Sequence, residues 1–301
     1  MSQLIQTIDE LKQAVNLNRD TDITGLTPHL ESAEALLARQ LGGFGVIDEV
    51  LAIMVPTMAQ KRALAYMRRA VGNLALYKSI PTQNVQITDA GLLRRTGGQQ
   101  GDAFQWQYDE ARNSLKADGW DAVEDLLQTL ETTPDDFPAW LASRPAPLLV
   151  PSASVFNLFY FIDSRRLTYQ ALLPSMRKAE TMQIRKFLAA QAVDVADLDE
   201  EQLALVQSAL VSATLGIALR ERQIDITESG VQVLGTSEAS TAANYRKPVE
   251  DQKRIDALIL YYQQQARATL DDLIASLPPL PNVPASPVSS TGIGGDRIVG
   301  L

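Results

Sequence analysis

The stretch that decides the fold is LTPHLESAEALLARQL, residues 26–41. Its apolar residues fall at 26, 30, 33, 36, 37 and 41, the spacing that gathers them on one face of a helix. Pro28 stands near its start and Gly42-Gly43 at its end, the order in which these residues punctuate helices. Sliding the chain by 146 residues lays this stretch on LLPSMRKAETMQIRKF, residues 172–187. Leu26/Leu172, Pro28/Pro174, Ala33/Ala179, Glu34/Glu180 and Arg39/Arg185 are identical, and Leu30/Met176, Leu36/Met182 and Leu41/Phe187 keep the apolar face.

Two more elements echo in the same order. NVQITDAG (84–91) lies on QIDITESG (223–230) at an offset of 139, and VEDLLQTL (123–130) lies on LDDLIASL (270–277) at 147. Helical proteins are rich in chance Ala/Leu/Glu matches, but three matches in one order argue for tandem duplication. In NVQITDAGLLRR, Val85 and Ile87 alternate with polar residues, as do Ile224 and Ile226 in the second copy. This pattern predicts a hairpin near 85–95 and another near 224–234. Gly91 and Gly230 suit a turn position with positive φ, and the side chains of Asp89 and Glu228 can bond turn amides. A two-stranded hairpin is marginal alone in water. Each is expected to pack on its helices, pair with the other copy or extend a neighbouring edge. Arg94 and Arg95 have no arginine counterpart in the second copy. They are either surface residues or a contact for an acidic partner or passing nucleic acid.

The expected fold class is therefore mainly α: a tandemly duplicated helical bundle, each repeat with a small β-hairpin, plus an extended C-terminal tail. The expected divisions are a first repeat over 1–131, a connector over 132–152, a second repeat over 153–278 and the tail over 279–301. A short amphipathic helix is predicted at 8–15. Helix continues over 47–79 with a break near Pro56, and over 103–131 with Gly119 as the place for a bend. The connector holds five prolines, yet Phe137, Trp140 and Leu141 would be poor residues to leave in water, so it is read as ordered. In the tail Pro, Ser and Gly dominate, and such a segment commonly orders on a partner. Its candidate contact residues are Pro279, Leu280, Val283, Ile293, Ile298 and Leu301.

Composition excludes several chemistries. The chain has 301 residues, no cysteine and one histidine, His29. There is thus no disulfide framework, no thiolate metal site, no cysteine nucleophile and no multi-histidine centre. A net charge of −9 argues against an ordinary duplex-binding surface, which needs clustered Lys and Arg. No apolar run reaches membrane-span length and the N-terminus has no signal-peptide pattern, so a soluble protein used without export is expected.

The remaining motifs read as structural. The acidic pairs at 135–136, 199–201 and 271–272 suit helix starts and exposed faces. Arg68-Arg69 suits an ion-paired helix face. The Gly-rich runs TGGQQGD (96–102) and STGIGGD (290–296) match neither a P-loop nor a dinucleotide fingerprint. The aromatic run VFNLFYFID (155–163) is read as core or interface, and Trp106 and Trp120 as packing residues. No nucleophile, base and oxyanion site assemble, so no enzyme, cofactor or metal is expected.

A resemblance adds to this reading. IDELKQAV (8–15), then LTPHLESAEALLARQLGG (26–43), a second helical stretch and a hairpin resemble the small helical head–tail connector (adaptor) proteins of tailed phages. The set NVQITDAGLLRR (84–95), FQWQYDEARNSL (104–115), GWDAVEDLLQTLE (119–131), FPAW (137–140) and DSRRLTYQALLPSMRKAE (163–180) is similar to a phage and prophage protein family of Bacteroidetes, over roughly residues 20–278. That resemblance implies a virion neck protein assembled in the host cytoplasm. It implies a homo-oligomeric ring between portal and tail or stopper proteins, around DNA that passes without sequence-specific binding. The chain departs from the usual adaptor in its duplication and its Pro-rich tail. The alternatives are a tail-completion ring protein, or a cytoplasmic helical scaffold or binding module whose halves hold a partner between them.

Overall fold

A computed structural model of the chain describes residues 4–15, 23–83, 85–88, 91–94, 105–144, 148–222, 224–227, 230–233 and 249–277. The helices of the first half are α1 (Ile8–Ala14), α2 (Ile23–Gln40), α3 (Gly45–Ala52), α4 (Met58–Gln83), α5 (Gln105–Thr132) and α6 (Pro138–Ser143). Those of the second are α7 (Ala153–Phe159), α8 (Arg166–Ala179), α9 (Arg185–Ala190), α10 (Glu200–Arg222) and α11 (Val249–Ser276). One hydrophobic core runs from Leu4 to Trp140 and another from Val150 to Leu273.

Local chemistry starts the helices. Thr7 caps α1 through a reciprocal box: its hydroxyl accepts from the Glu10 amide while the Glu10 carboxylate accepts from the Thr7 amide. Burial pushes the Glu10 carboxyl up, but amides of Gln6 and Thr7 and the Arg68 guanidinium outweigh it and hold the group below its usual range. Ser152 caps α7 by accepting from the Val155 amide, as Thr7 accepts at α1. Thr57 with Gln60, and Asp199 with Gln202, form equivalent boxes at the starts of α4 and α10.

A shared arrangement holds the segment ahead of the first helix in each half. In the first, the Leu4 amide donates to Glu34 Oε2 (3.3 Å) and the Leu4 carbonyl accepts from Arg68 Nε (2.9 Å). In the second, the Leu149 amide donates to Glu180 Oε2 (2.9 Å) and its carbonyl accepts from Gln207 Nε2 (2.9 Å). Glu34 is only 4% exposed and Glu180 2%. Buried carboxyl groups at such depth need partners, and backbone amides with no helical acceptor supply them.

The two halves differ by one residue inserted in a helix. Leu26, Leu30, Ala33 and Glu34 are buried, as are Leu172, Met176, Ala179 and Glu180, each 146 residues later. The helix then widens into a π-turn over Glu180–Ile184, which absorbs one extra residue. Beyond it the buried equivalents of Leu37 and Leu41 are Ile184 and Leu188, at an offset of 147. The expected pairings Leu36/Met182 and Leu41/Phe187 are thereby corrected: Met182 is 62% exposed. Arg185 turns back to the buried carboxylate, with Nη2 donating to Glu180 Oε1 at 2.6 Å.

Helix pairs α4/α5 and α10/α11 pack along their lengths. Met67, Ala70 and Val71 are buried, and so are Val206, Ala209 and Leu210, 139 residues later. Helix α5 runs uninterrupted through Gly119. Gly119 marks a close approach: a Cβ there would stand 2.7 Å from Leu74 Cγ. The equivalents of Leu74 and Gly119 are Ala213 and Ala266, both buried. Helix α10 is long and apolar enough to cross a membrane, with a mean hydropathy of 1.6 over its best window. Its place against α7, α8 and α11 accounts for that composition, since a helix apolar all round is a core helix.

The expected fold class needs correction. A bundle with a β-hairpin as a component of each repeat gives way to an all-helical fold, with both cores built from helices and their connections. Pairing at Val85–Thr88 with Gly91–Arg94, and at Ile224–Thr227 with Gly230–Val233, is confined to separate two-stranded ribbons of four residues a strand. Ribbons of that size lack a face broad enough to carry a fold. The expected extended tail over 279–301 lies outside the described residues.

The Gly119 contact can be checked by substitution. Gly119→Ala should cost about 1–3 kcal/mol in urea unfolding, because overpacking outweighs the gain in helix propensity. Adding Leu74→Ala reproduces the alanines of the second half. The double variant should be less destabilised than the sum of the single ones by about 1 kcal/mol or more. Additive losses would contradict the contact.

Candidate functional site

The halves meet where α5 faces the start of α8. Glu124 and Glu131 lie seven residues apart on α5, two turns and therefore on one face. Glu124 accepts from the backbone amides of Arg166 (2.6 Å) and Leu167 (3.1 Å). It thus caps α8 from the other half, where the helix's own N-cap residue, Arg165, makes no side-chain cap. A carboxylate at that end also meets the positive end of the helix dipole. The Arg166 side chain spans both acids, with Nε 3.0 Å from Glu131 Oε2 and Nη1 3.5 Å from Glu124 Oε1.

The loop before α8 is shaped to deliver this arginine. Asp163 and Ser164 adopt left-handed φ values of 55° and 50°, a conformation that side chains other than glycine occupy at a cost. Asn157 Oδ1 offsets it by accepting from the amides of Ile162 (2.8 Å) and Ser164 (3.1 Å).

Beside this junction a cleft of about 1100 Å³ opens between the halves. Its first wall is the end of α2 with Arg39 and Gly42, Trp120 of α5, and Trp140, Leu141 and Arg144 of α6 and its end. Its second wall is Leu148, Pro151 and the length of α8 from Leu167 to Arg177. Gly42 has a φ of 80°, and a Cβ on it would stand 3.1 Å from Ser143 Cβ, so both conformation and space favour glycine there. Tyr169 donates its hydroxyl to the Val150 carbonyl at 2.7 Å, and burial pushes the phenol up to about 12.

The cleft carries unused hydrogen-bond donors. Arg144 stacks on the Trp140 ring at 5.6 Å and reaches Glu131 at 3.7 Å. The exposed side chains of Arg39 and Arg177 have neither an ion pair nor a hydrogen bond among the described residues. The buried Trp140 indole N–H also lacks an acceptor among them. Three arginines against Glu131 make this a locally positive wall on a chain of net charge −9. Such a wall is suited to hold groups that only accept hydrogen bonds.

The residues singled out from sequence fall in the two ribbons or outside the described residues. Val85 pairs with Arg94, Ile87 with Leu92 and Thr88 with Gly91. Ile224 pairs with Val233, Ile226 with Val231 and Thr227 with Gly230. Asp89, Arg95, Glu228 and the tail candidates Pro279, Leu280, Val283, Ile293, Ile298 and Leu301 lie outside the described residues. Trp106, read as packing, is 62% exposed. In the aromatic run Phe156 is core, while Leu158 and Phe161 face solvent. Among the described residues no three His, Asp or Glu side chains converge on a metal position. Sequence reading missed the whole clamp. The signals available were the seven-residue spacing of Glu124 and Glu131 and the charge pair Arg165-Arg166 ahead of an uncapped helix.

Glu124→Ala tests the junction. It leaves two helix amides and part of the Arg166 guanidinium without an acceptor, at an expected cost of about 2–3 kcal/mol in thermal or urea unfolding. A loss below about 0.5 kcal/mol, the usual size of an exposed ion pair, would contradict the clamp.

Comparison with known proteins places the chain in a family without giving it a function. No curated protein and no solved structure matches it. The family of unknown function DUF6712 matches residues 47–146 and 169–282, a stretch in each half and together more than two thirds of the sequence. The chain, with its two helical halves and the cleft between them, belongs to DUF6712.

Proposed function

We propose that the protein is a two-lobed helical binding module that holds a partner segment in the cleft between its halves. The observation that carries this reading is the cleft of about 1100 Å³ between the halves, with the arginines Arg39, Arg144 and Arg177 on its walls. Arg39 and Arg177 are exposed there and can meet acceptors or carboxylates of an occupant. Trp120, Leu141, Leu148 and Leu167 supply apolar surface for the same occupant.

A second reading is the ring connector implied by the resemblance, in which the partner is a neighbouring copy of the chain or a portal or tail protein. It is favoured by the apolar loop between α3 and α4, where Met54 is 97% and Val55 88% exposed. Exposed apolar residues side by side suit an interface between subunits.

Selection of random displayed peptides on the full chain tests the first reading. It should return a consensus that binds the wild type and loses at least tenfold on a Trp120→Ala/Arg177→Gln variant. A consensus that binds both equally, or none at all, would overturn it.

A further inference from the structure

We propose that the protein associates end to end with a second copy of itself, the α11 face around Ile274 receiving the start of the neighbour's α2. The inference rests on the reading of a neighbouring copy as partner and names the two surfaces. Because the halves are equivalent, the contact that joins them, α5 with the start of α8, has a counterpart in α11 with the start of α2. On the receiving side, Glu124 and Leu127 of α5 correspond to Asp271 and Ile274 of α11 at the offset of 147. The chemistry is kept: a carboxylate that suits the end of an incoming helix, and an aliphatic residue one turn on. The burial is not kept. Leu127 is fully buried, and Leu167 from the start of α8 packs against the core that contains it. Ile274 is 42% exposed, and Asp271 is exposed beside it. Val123 and Leu130 are likewise buried, while their counterparts Leu270 and Leu277 are covered only in part. Leu260, Arg267 and Ile274 stand seven residues apart and all are exposed. This open stripe of α11 is about 21 Å long at ~1.5 Å per residue.

On the entering side the difference runs the same way. Gln170 and Ala171, a turn beyond Leu167, are half-buried where α8 walls the cleft with Trp120 of α5. Their counterparts in α2, Thr24 and Gly25, are exposed. A Cβ built on Gly25 would meet nothing within 4 Å. Each chain therefore covers one receiving face and one entering helix at its own junction, and leaves the other of each open. The two open surfaces lie on opposite halves and correspond, residue by residue, to the pair already in contact. A contact between unlike surfaces is heterologous, so it runs from the second half of one copy to the first half of the next. Covering Ile274 and Leu260 removes apolar surface from water, which favours the association.

Sedimentation and light scattering of the full chain test this, and should show association that rises with concentration. Ile274→Asp should raise the concentration of half-association by about tenfold or more, as a charge set into an apolar contact does. Its helical circular dichroism should match that of the wild type, since the position faces solvent within one chain. The chain has no cysteine, so introduced thiols can locate the contact. A mixture of Asp271→Cys and Gly25→Cys chains, treated with a short bis-maleimide, should give a covalent dimer, and neither variant alone should do so. A chain that stays monomeric up to millimolar concentration, or a mixture that yields no more dimer than either variant alone, would overturn the proposal. Association that survives Ile274→Asp but is lost in Met54→Asp would remove this contact and leave the reading of a neighbouring copy standing.

Discussion

Each half of this protein is organised around one buried carboxyl group that bonds a strip of backbone no helix could satisfy. Residues ahead of α1 and α7 are not helical, so their amides and carbonyls lack the internal partners of a helix. Glu34 and Glu180 take the amides of Leu4 and Leu149, and Arg68 and Gln207 take the carbonyls. With both polar backbone groups of one residue fixed, the apolar residues that follow, Ile5 and Val150, are set into their cores. Thr7 and Ser152 then start the helices that close over them. An unsatisfied buried amide costs about 1–3 kcal/mol, a large share of a domain's net stability. The constraint therefore selects which helix face turns inward around Glu34 and Glu180, and the rest of each bundle follows that choice.

The same framework tolerates change wherever the carboxyl group is kept. One half adds a residue directly after its buried glutamate, and a π-turn absorbs it so that Ile184 and Leu188 regain the core face. Arg68 and Gln207 differ in charge but bond the equivalent carbonyl. Leu74 with Gly119 in one half corresponds to Ala213 with Ala266 in the other, a large and a small residue against two of intermediate bulk. Such exchanges limit the change in volume, which is what a close-packed interior requires. The junction between halves has no such internal counterpart. Glu124, Glu131 and Arg166 bond α5 to the start of α8, beside the cleft.

Much of the helical framework was legible in the sequence. The period of residues 26–41 and its echo at 172–187 located the two equivalent helices, and Glu34/Glu180 stood out as an identity. Its meaning was not legible, because a glutamate on an apolar face looks the same whether it faces water or a backbone amide from 30 residues away. The one-residue insertion was hidden by Arg39/Arg185, an identity that aligns across a π-turn yet joins residues on different faces. The turn NVQITDAGLLRR interrupts a helical pattern, but alternation over four residues specifies local pairing and not a place in a core. The cleft could not be read at all. Its walls come from α2, α5, α6 and α8, and only the packing of two halves brings Arg39 and Arg177 to one space.

Amide hydrogen exchange on the full chain tests the organising role of the buried carboxyl groups most directly. The Leu4 and Leu149 amides should be protected in the wild type. Glu180→Ala should speed exchange at Leu149 at least tenfold beyond any change at the core amide of Leu210, and Glu34→Ala should do the same at Leu4. Each substitution should leave the other half's amide unaffected. Leu4 and Leu149 amides that exchange at free-loop rates in the wild type, or that keep their protection after loss of the glutamate, would contradict the account.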